Sequence, residues 1–575
     1  MAVLVLVGVG LWVGSKALTV KSELEAARPL LVSVKDKVLS GDAGAAGDDA
    51  EKLSNHAAAA REATSDPVWR FVELLPWVGP NLVAVRTVTE SVDEVIEDAV
   101  YPAVRLGDTL SPDLFKPVNG ALDLAKIESL VPVLDRAGSA VANANVSVSA
   151  IDTGSLIPPV AGAVTEIRDL ISQVEPAISA ARQVAPLVPS FLGADRPQNY
   201  LLIFENSAEV RPLGGIAGAQ ILLTADAGRI AIAQQTSGRD FEFESEAFAD
   251  SQVPREAREL FLVPFGVQSQ NNTLTPRVEV AAQLTRAMWE SQRGVTADTV
   301  IFIDPVALSY VLRATGPLTL VDGTQLTADN SIDVLLNGVY KKFKDPDEQD
   351  AYFASAASQL FDTVMSGGVD LPSLIKAVET GGAEGRILAS SVNPSMQAVV
   401  AKVGLQGRMP QESDSVRQIG VYMSDYLGSK MDYYLRTDVQ VGQAQCGDGS
   451  RRLRVQVTAT NVLDPSEVAE LPDYITAGPK NSFGIPVGDL RIFTYVYAPV
   501  GSTIASITGT TSQSDAFIGT DRDYPVARGV IQVPPGGTQA STVDVDITGL
   551  SEKDVHALVT PTLFQTDVRQ LEFTC

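Results

Sequence analysis

The pattern of apolar and polar positions changes character three times along the chain. Residues 1–14, MAVLVLVGVGLWVG, are apolar without interruption, and Ala17, Leu18 and Val20 extend the run past Ser15 and Lys16. Roughly 20 apolar residues span a bilayer, so residues 1–20 are predicted to be a membrane anchor, with a cleaved signal peptide as the alternative. No basic residue precedes the run, whereas Lys16 and Lys21 follow it. Basic residues ordinarily stay on the cytoplasmic side, so a basic lead upstream of Met1 is expected.

From Lys21 the period becomes helical. Leu24, Ala27, Leu31, Val34 and Val38 recur at steps of three and four, as do Val164, Ile167, Ile171, Val174 and Ile178. Further helices are predicted over 50–63, 83–106 and 124–141, with Gly41 to Asp49 as a flexible break. Pro158, Pro159, Pro176, Pro186 and Pro189 are expected to interrupt the pattern. Residues 21–195 therefore read as a helical bundle or stalk. Trp69, Phe71 and Trp77 crowd into residues 66–82, where they either pack between helices or rest on lipid.

After Pro197 strands and helices alternate, giving a central α/β domain over 196–429. Its organising stretch is Asn199 to Thr224, NYLLIFENSAEVRPLGGIAGAQILLT. Tyr200–Phe204 and Ala219–Leu223 read as buried neighbouring strands, and a hairpin turns at Asp226-Ala227-Gly228. Residues 237–272 are expected to form a long loop with a short helix. Asp304-Pro305 and Asp345-Pro346 each read as a helix cap followed by proline at the first helical position. From Lys430 helical signals give way to short strands separated by Gly, Pro and Asp turns, so residues 430–575 are predicted to be an antiparallel β-sandwich. The fold class is thus multidomain α+β.

Charge and composition narrow the function. The balance of 44 basic against 70 acidic residues gives −26, which repels nucleic acid, so no nucleic-acid partner is expected. Only His56 and His556 are present, which removes histidine triads and histidine-rich zinc sites from the central region. Cys446 and Cys575 belong to no CxxC pair and are read as one disulfide in an oxidising compartment. That places the bulk of a single-pass membrane protein outside the cytoplasm.

Candidate chemistry lies between the two central strands. Gly214, Gly215 and Gly218 allow close approach to backbone N–H groups, and Arg211 beside them can fork onto a phosphate or carboxylate. The plain alternative is that Arg211 pairs with Glu205 or Glu209. Arg211, Gly214, Gly215, Arg239, Arg277 and Arg293 make up a candidate anion pocket. Asp226 and Asp240 are candidate ligands for a divalent metal such as magnesium. Phosphoryl transfer needs little beyond such cations and carboxylates. Ordinary surface ion pairs are the alternative for each. Lys341, Lys342 and Lys344 are followed directly by Asp345, Asp347 and Glu348, and read as a solvated helix end.

Five stretches together carry a resemblance. They are DPVWRFVELLPWVG (66–79), NYLLIFENSAEVRPLGGIAGA (199–219), DTVIFIDPVALSYVLRATGPLTL (298–320), VLLNGVYKKFKDPDEQDAYFASAA (334–357) and GSKMDYYL (428–435). With their order, the chain resembles the actinobacterial envelope family catalogued as domain of unknown function 4012. The resemblance implies a membrane-anchored extracytoplasmic protein associated with surface polysaccharide. The strand–arginine region around Arg211 and residues 296–320 also resemble LytR-CpsA-Psr proteins, more faintly. Those proteins join glycopolymers carried on polyprenyl phosphate to the wall, holding a pyrophosphate and magnesium with arginines and acids. That second resemblance implies a similar central domain, and Arg211 is the one residue it carries over. Two functions follow as expectations. One is binding and assembly or transfer of a polyprenyl-phosphate-linked glycopolymer. The other is a non-catalytic envelope scaffold that binds wall polymer or protein partners.

Overall fold

The computed structural model describes all residues except 1, 40–42, 106–115, 119, 242–251, 262–264, 368, 448, 482, 512–514 and 548–552. It divides into two compact units, Met1–Pro197 with Asp226–Arg229, and Gln198–Ala225 with Ile230–Cys575.

The first unit is helical. One helix, Ala2–Leu39, runs from the apolar stretch through Lys16 and Lys21 without a break. Its buried positions Val13, Val20, Ala27 and Val34 are seven residues apart, the spacing of a coiled-coil seam. Ala27 and Val34 face Ala50, Leu53 and Ala57 of the helix Gly47–Ser65. Alanines on that seam let the two helices approach closely. Leu31, predicted on the buried face, is instead exposed. A second core joins Ala84 and Val88 of Gly79–Val95 to Val141, Ala144 and Val148 of Leu124–Ser149 and to Val164 of Pro158–Val184. Pro176 does not break Pro158–Val184 as expected. It lies on an exposed face, where the carbonyl it leaves without a donor, that of Ser172, meets water. Among the described residues no helix is long and apolar enough to cross a membrane. The side chains of residues 1–7, where the predicted anchor begins, lie outside the described residues.

The second unit contains three five-stranded sheets. In the first, Gln198–Asn206 is the central strand, antiparallel to Ile216–Asp226 and parallel to Thr299–Ile303. Arg229–Ser237 and Ile387–Ser391 form its edges. Leu201 and Ile203 point into a core with Val300, Phe302, Met288 and Trp289. The pairing slips between Ile203 and Glu205, where the strand bends towards its turn. Of the loop expected at 237–272, residues 242–251 and 262–264 lie outside the described residues, while Arg255–Phe261 is the expected short helix.

The other two sheets share one apolar core, with Val439, Val441 and Val455 from one and Ile419, Ile492 and Ile531 from the other. They are not wholly antiparallel. Asp554–Val559 pairs in parallel with Val416–Asp425, and Asp567–Gln570 in parallel with Leu435–Gln445. Both exceptions are late strands that add to sheet edges, a placement that period-two alternation does not encode. Val416–Asp425 also carries this region back across residue 430, where the sequence suggested a border. The disulfide Cys446–Cys575 closes the end of the chain, with Cα atoms 5.2 Å apart.

Candidate functional site

The strand Gln198–Asn206 delivers two groups of side chains to opposite sides of its end. Glu205 shares the inward face of Leu201 and Ile203 and is buried. Asn206 then turns the chain, its side chain accepting from the Ala208 amide at 3.0 Å while its carbonyl accepts from the Glu209 amide at 3.1 Å. The glycines that follow serve this turn. At Gly214, φ is +142°, and a Cβ would sit 2.8 Å from a Glu205 carboxyl oxygen. At Gly215 a Cβ would lie 2.4 Å from the Asn206 carbonyl carbon. The space that the sequence suggested for a ligand is therefore filled by the protein itself.

Arg211 is buried in a closed ionic cluster. Its Nη2 donates to Glu209 Oε1 at 2.6 Å and its Nη1 to the Val210 carbonyl at 2.9 Å. The Lys430 ammonium binds the other Glu209 oxygen. Asp432 accepts from the Val210 amide at 2.8 Å, and Asp425 from the amides of Gly428 and Ser429. Burial opposes the Glu209 charge, yet Lys430 and Arg211 outweigh it and hold the carboxylate below its usual range. Burial and the Glu209 charge push Asp425 up to about 6, while burial and Asp425 push Asp432 well above the carboxylate range. Lys430 is held charged by Glu209 in spite of its burial.

Next to this cluster lies a cavity of about 120 Å³. Leu308, Leu318, Leu335, Leu336, Phe353 and Leu360 form its apolar wall. Glu205, Asn206, Asp304, Tyr340, Lys430 and Tyr474 supply its polar groups. Glu205 Oε1 has no hydrogen-bond partner among the described residues. Burial, reinforced by the Asp304 charge, raises its pKa well above the usual value and so favours the protonated carboxyl. Asp304 caps the helix Pro305–Thr315 by accepting from the Ala307 amide at 2.7 Å, and also binds Arg386 at 2.6 Å. The Tyr340 hydroxyl bonds the Asn206 side chain, and the Lys430 ammonium stands 6.0 and 5.8 Å from the Tyr340 and Tyr474 ring centres. Water excluded by the apolar wall would otherwise weaken each of these contacts.

The candidate arginines do not converge. Arg239 lines the cavity rim but donates to Asp350 at 2.6 Å and Asp347 at 3.3 Å. Arg277 is buried against Asp521 at 3.0 Å, and Tyr497 donates to the same carboxylate at 2.9 Å. Arg293 ends the helix Val278–Arg293 with its guanidinium 4.9 Å from the Phe241 ring centre. Asp226 is exposed at a hairpin turn, and Asp240 closes a capping box with Ser237. Among the described residues no group of three His, Cys, Asp or Glu side chains is placed to hold a metal ion. Asp226 and Asp240 belong to no such group among the described residues.

Glu205, Tyr340, Lys430 and Arg386 escaped the sequence reading as site residues. Glu205 alone carried a signal, because the alternation Leu201, Ile203, Glu205 puts an acid on the buried face of a strand.

A search of curated proteins finds no match. Among solved structures the chain is similar to protein gbs0355 from Streptococcus agalactiae, with 11% identity and a TM-score of 0.26 over 40% of this chain and 81% of that one. A score that low carries no weight for the fold, and the LytR-CpsA-Psr resemblance is not confirmed. Residues 195–340, which hold Glu205, Arg211, Asp304 and Tyr340, match the family model described as protein of unknown function (DUF4012).

Proposed function

We propose that the chain is a membrane-anchored extracytoplasmic protein that binds a lipid-linked envelope glycopolymer at the central cavity. One observation carries the reading. A buried carboxyl with an unpartnered oxygen, Glu205, and a charged ammonium, Lys430, both line an otherwise apolar cavity. A carboxylic acid donates one hydrogen bond and accepts others, as a sugar or phosphate oxygen requires, while the leucines accept an apolar part of the same molecule. The size sets a limit. An apolar cavity of about 150 Å³ holds a benzene ring, so this one takes a single ring or a few carbons, with the remainder outside. Arg239 and Asp350 stand where the ligand would leave.

Two features support the location. The apolar first turns of Ala2–Leu39 pack through Val13 against Trp69, Val72 and Leu82. Beside them Phe71, Leu74 and Trp77 are 65%, 79% and 88% exposed, an aromatic and aliphatic patch of the kind that rests at a membrane interface. The disulfide fits an oxidising compartment.

A scaffold that binds wall polymer or protein partners is the second reading. It is favoured by Arg211, whose guanidinium is committed to Glu209. Native mass spectrometry of detergent-extracted protein separates the two. A co-purifying polyprenyl-phosphate species, lost in Glu205→Leu, is expected; a wild-type protein without it overturns the glycolipid reading. Protease added to protoplasts should remove most of the chain, and full protection overturns the location.

A further inference from the structure

The strand Asp554–Val559 stands at the edge of its sheet and pairs on one side, in parallel with Val416–Asp425. The Asp554 amide donates to the Ser415 carbonyl at 2.9 Å, and the Thr560 amide donates to the Val421 carbonyl at 3.2 Å. In a parallel ladder alternate residues turn both main-chain groups to the neighbouring strand. The even-numbered residues do so here, so Val555, Ala557 and Val559 turn their N–H and C=O to the open edge. The protein covers the start of that edge itself, where the Gln570 side chain donates to the Val555 carbonyl at 3.0 Å. The outward groups of Ala557 and Val559 have no hydrogen-bond partner among the described residues.

This uncovered part lies along a groove. Residues 557–562 form one wall, and residues 382–386 with Gly404, Gly407 and Arg408 stand opposite, beyond the ends of the helices Leu371–Ala383 and Pro394–Lys402. At Gly385 and Gly404 an added Cβ would meet nothing within 4 Å, so that wall leaves open space beside its backbone. The chemistry of the edge selects the occupant. Ala557 and Val559 present two donors and two acceptors in a line, spaced about 6.6 Å apart at 3.3 Å per residue, which is the repeat of an extended chain. Such an edge is a template for a further strand. A sugar or a hydrocarbon chain carries no matching repeat. Charge adds a second selection. Arg408 is exposed, and its one hydrogen bond among the described residues is a long one, 3.5 Å to the Ala383 carbonyl. In a chain of 44 basic and 70 acidic residues, a guanidinium without a carboxylate favours an acidic occupant.

We infer that the Ala557–Val559 edge takes an extended peptide segment of a partner protein as an added strand, with an acidic side chain of that segment beside Arg408. The inference does not rest on the reading of the central cavity. The test uses the full chain. Hydrogen exchange, read residue by residue in the free protein, should be at least about a hundredfold faster at the Ala557 and Val559 amides than at Leu558 and Thr560. A phage-displayed library of random dodecapeptides is then panned on the full chain, and the recovered peptides are synthesised and titrated by fluorescence anisotropy. They should carry an acidic residue and slow exchange at Ala557 and Val559. Val559→Pro removes one outward N–H and leaves the ladder intact, as proline on an edge strand does. It should weaken the peptides about tenfold, the worth of one hydrogen bond. Arg408→Glu should weaken them several-fold. Equal exchange at all four amides of the free protein overturns the proposal, because the edge would then already be covered. So does a library that yields no peptide protecting Ala557 and Val559, a readout that holds even where Val559→Pro fails to fold. Self-association of the wild type in sedimentation, lost in a folded Val559→Pro protein, would assign the edge to a second copy and equally overturn it.

Discussion

Asp304 and Arg386, 82 residues apart in sequence, meet at 2.6 Å with both side chains buried. The pair stands between two cavities, Asp304 on the wall of the candidate site and Arg386 on that of a neighbouring cavity of about 350 Å³. Arg386 also donates to Glu384 at 2.8 Å and to the Thr562 carbonyl at 3.1 Å, linking the edge of the central sheet to the late strands. Removing one partner of a buried pair strands the other charge, at a cost of about 3–5 kcal/mol. Asp304→Ala and Arg386→Met should each lose that much in urea unfolding. The double variant should lose clearly less than the sum, because no charge is then left alone. Additive losses would show that the two side chains do not act as a pair.

The Arg211 cluster predicts a different pattern from a phosphate grip. Arg211→Ala leaves Glu209 with Lys430 alone and should destabilise by about 3–5 kcal/mol. Arg211→Lys keeps a cation but loses the planar reach to the Val210 carbonyl, so a smaller loss of about 1–2 kcal/mol is expected in denaturant titrations. Polyprenyl-phosphate binding per folded molecule should be the same in all three proteins. Loss of binding in a well-folded Arg211→Lys variant would return this arginine to the site.

Asp425 gives the protein a pH signature. Its folded pKa is about 6, against about 3.9 for an unperturbed aspartate, so the protonated form is the one favoured by folding. The associated stability is fully present below pH ~4 and is lost as pH rises through ~6, on the order of 3 kcal/mol. Glu209 has the opposite sign, because its lowered pKa adds stability that disappears only as pH falls below the usual carboxylate range. Stability should therefore decline from pH 4 to pH 7, and Asp425→Asn should flatten that decline. Unfolding midpoints across this range check both; a wild-type profile without slope would contradict the assignment.

The disulfide encloses 129 residues of separation and ties the last residue to the end of Leu435–Gln445. Chain entropy alone assigns such a loop up to about 5 kcal/mol, and engineered cases usually deliver less. Cys575→Ser should lower the unfolding midpoint. Hydrogen exchange should rise first at Asp567–Gln570, whose four residues are all exposed. A uniform rise across both sheets would instead mean that the bond holds the whole region together.

Local signals in the sequence reached local structure. The Asp304-Pro305 and Asp345-Pro346 caps, the apolar strand after Asn199 and the late cysteine pair all depend on neighbours or on compartment. The ionic network does not. Lys430 reaches Glu209 across 221 residues and Arg277 reaches Asp521 across 244. Residue types alone offer each arginine dozens of acidic partners and no means of choosing. The glycines misled for a related reason. A glycine records that a Cβ has no room, and at Gly214 the occupant is Glu205, not a ligand. Asp304 shows the reverse case, because a cap read correctly from the sequence also binds Arg386 and lines a cavity.

Glu205 offers the sharpest separation of stability from function. Its unpartnered oxygen is buried, and a buried polar atom without a hydrogen bond costs about 1–3 kcal/mol. Leucine is close in size and carries no polar atom, so Glu205→Leu should be more stable than wild type by roughly that amount. The same substitution removes the acid that would meet a ligand oxygen, so it should also lose the co-purifying ligand. A side chain that weakens the fold while serving the site is the usual mark of a functional group. Glu205→Gln provides the control. It is uncharged, as the protonated form of Glu205 is, and its amide still donates and accepts. Its unfolding midpoint should match that of wild type within about 0.5 kcal/mol at pH 7, and ligand binding should be retained in part. A Glu205→Leu protein that melts earlier would mean that this carboxyl has a structural partner, and one that keeps its ligand would place binding elsewhere in the chain.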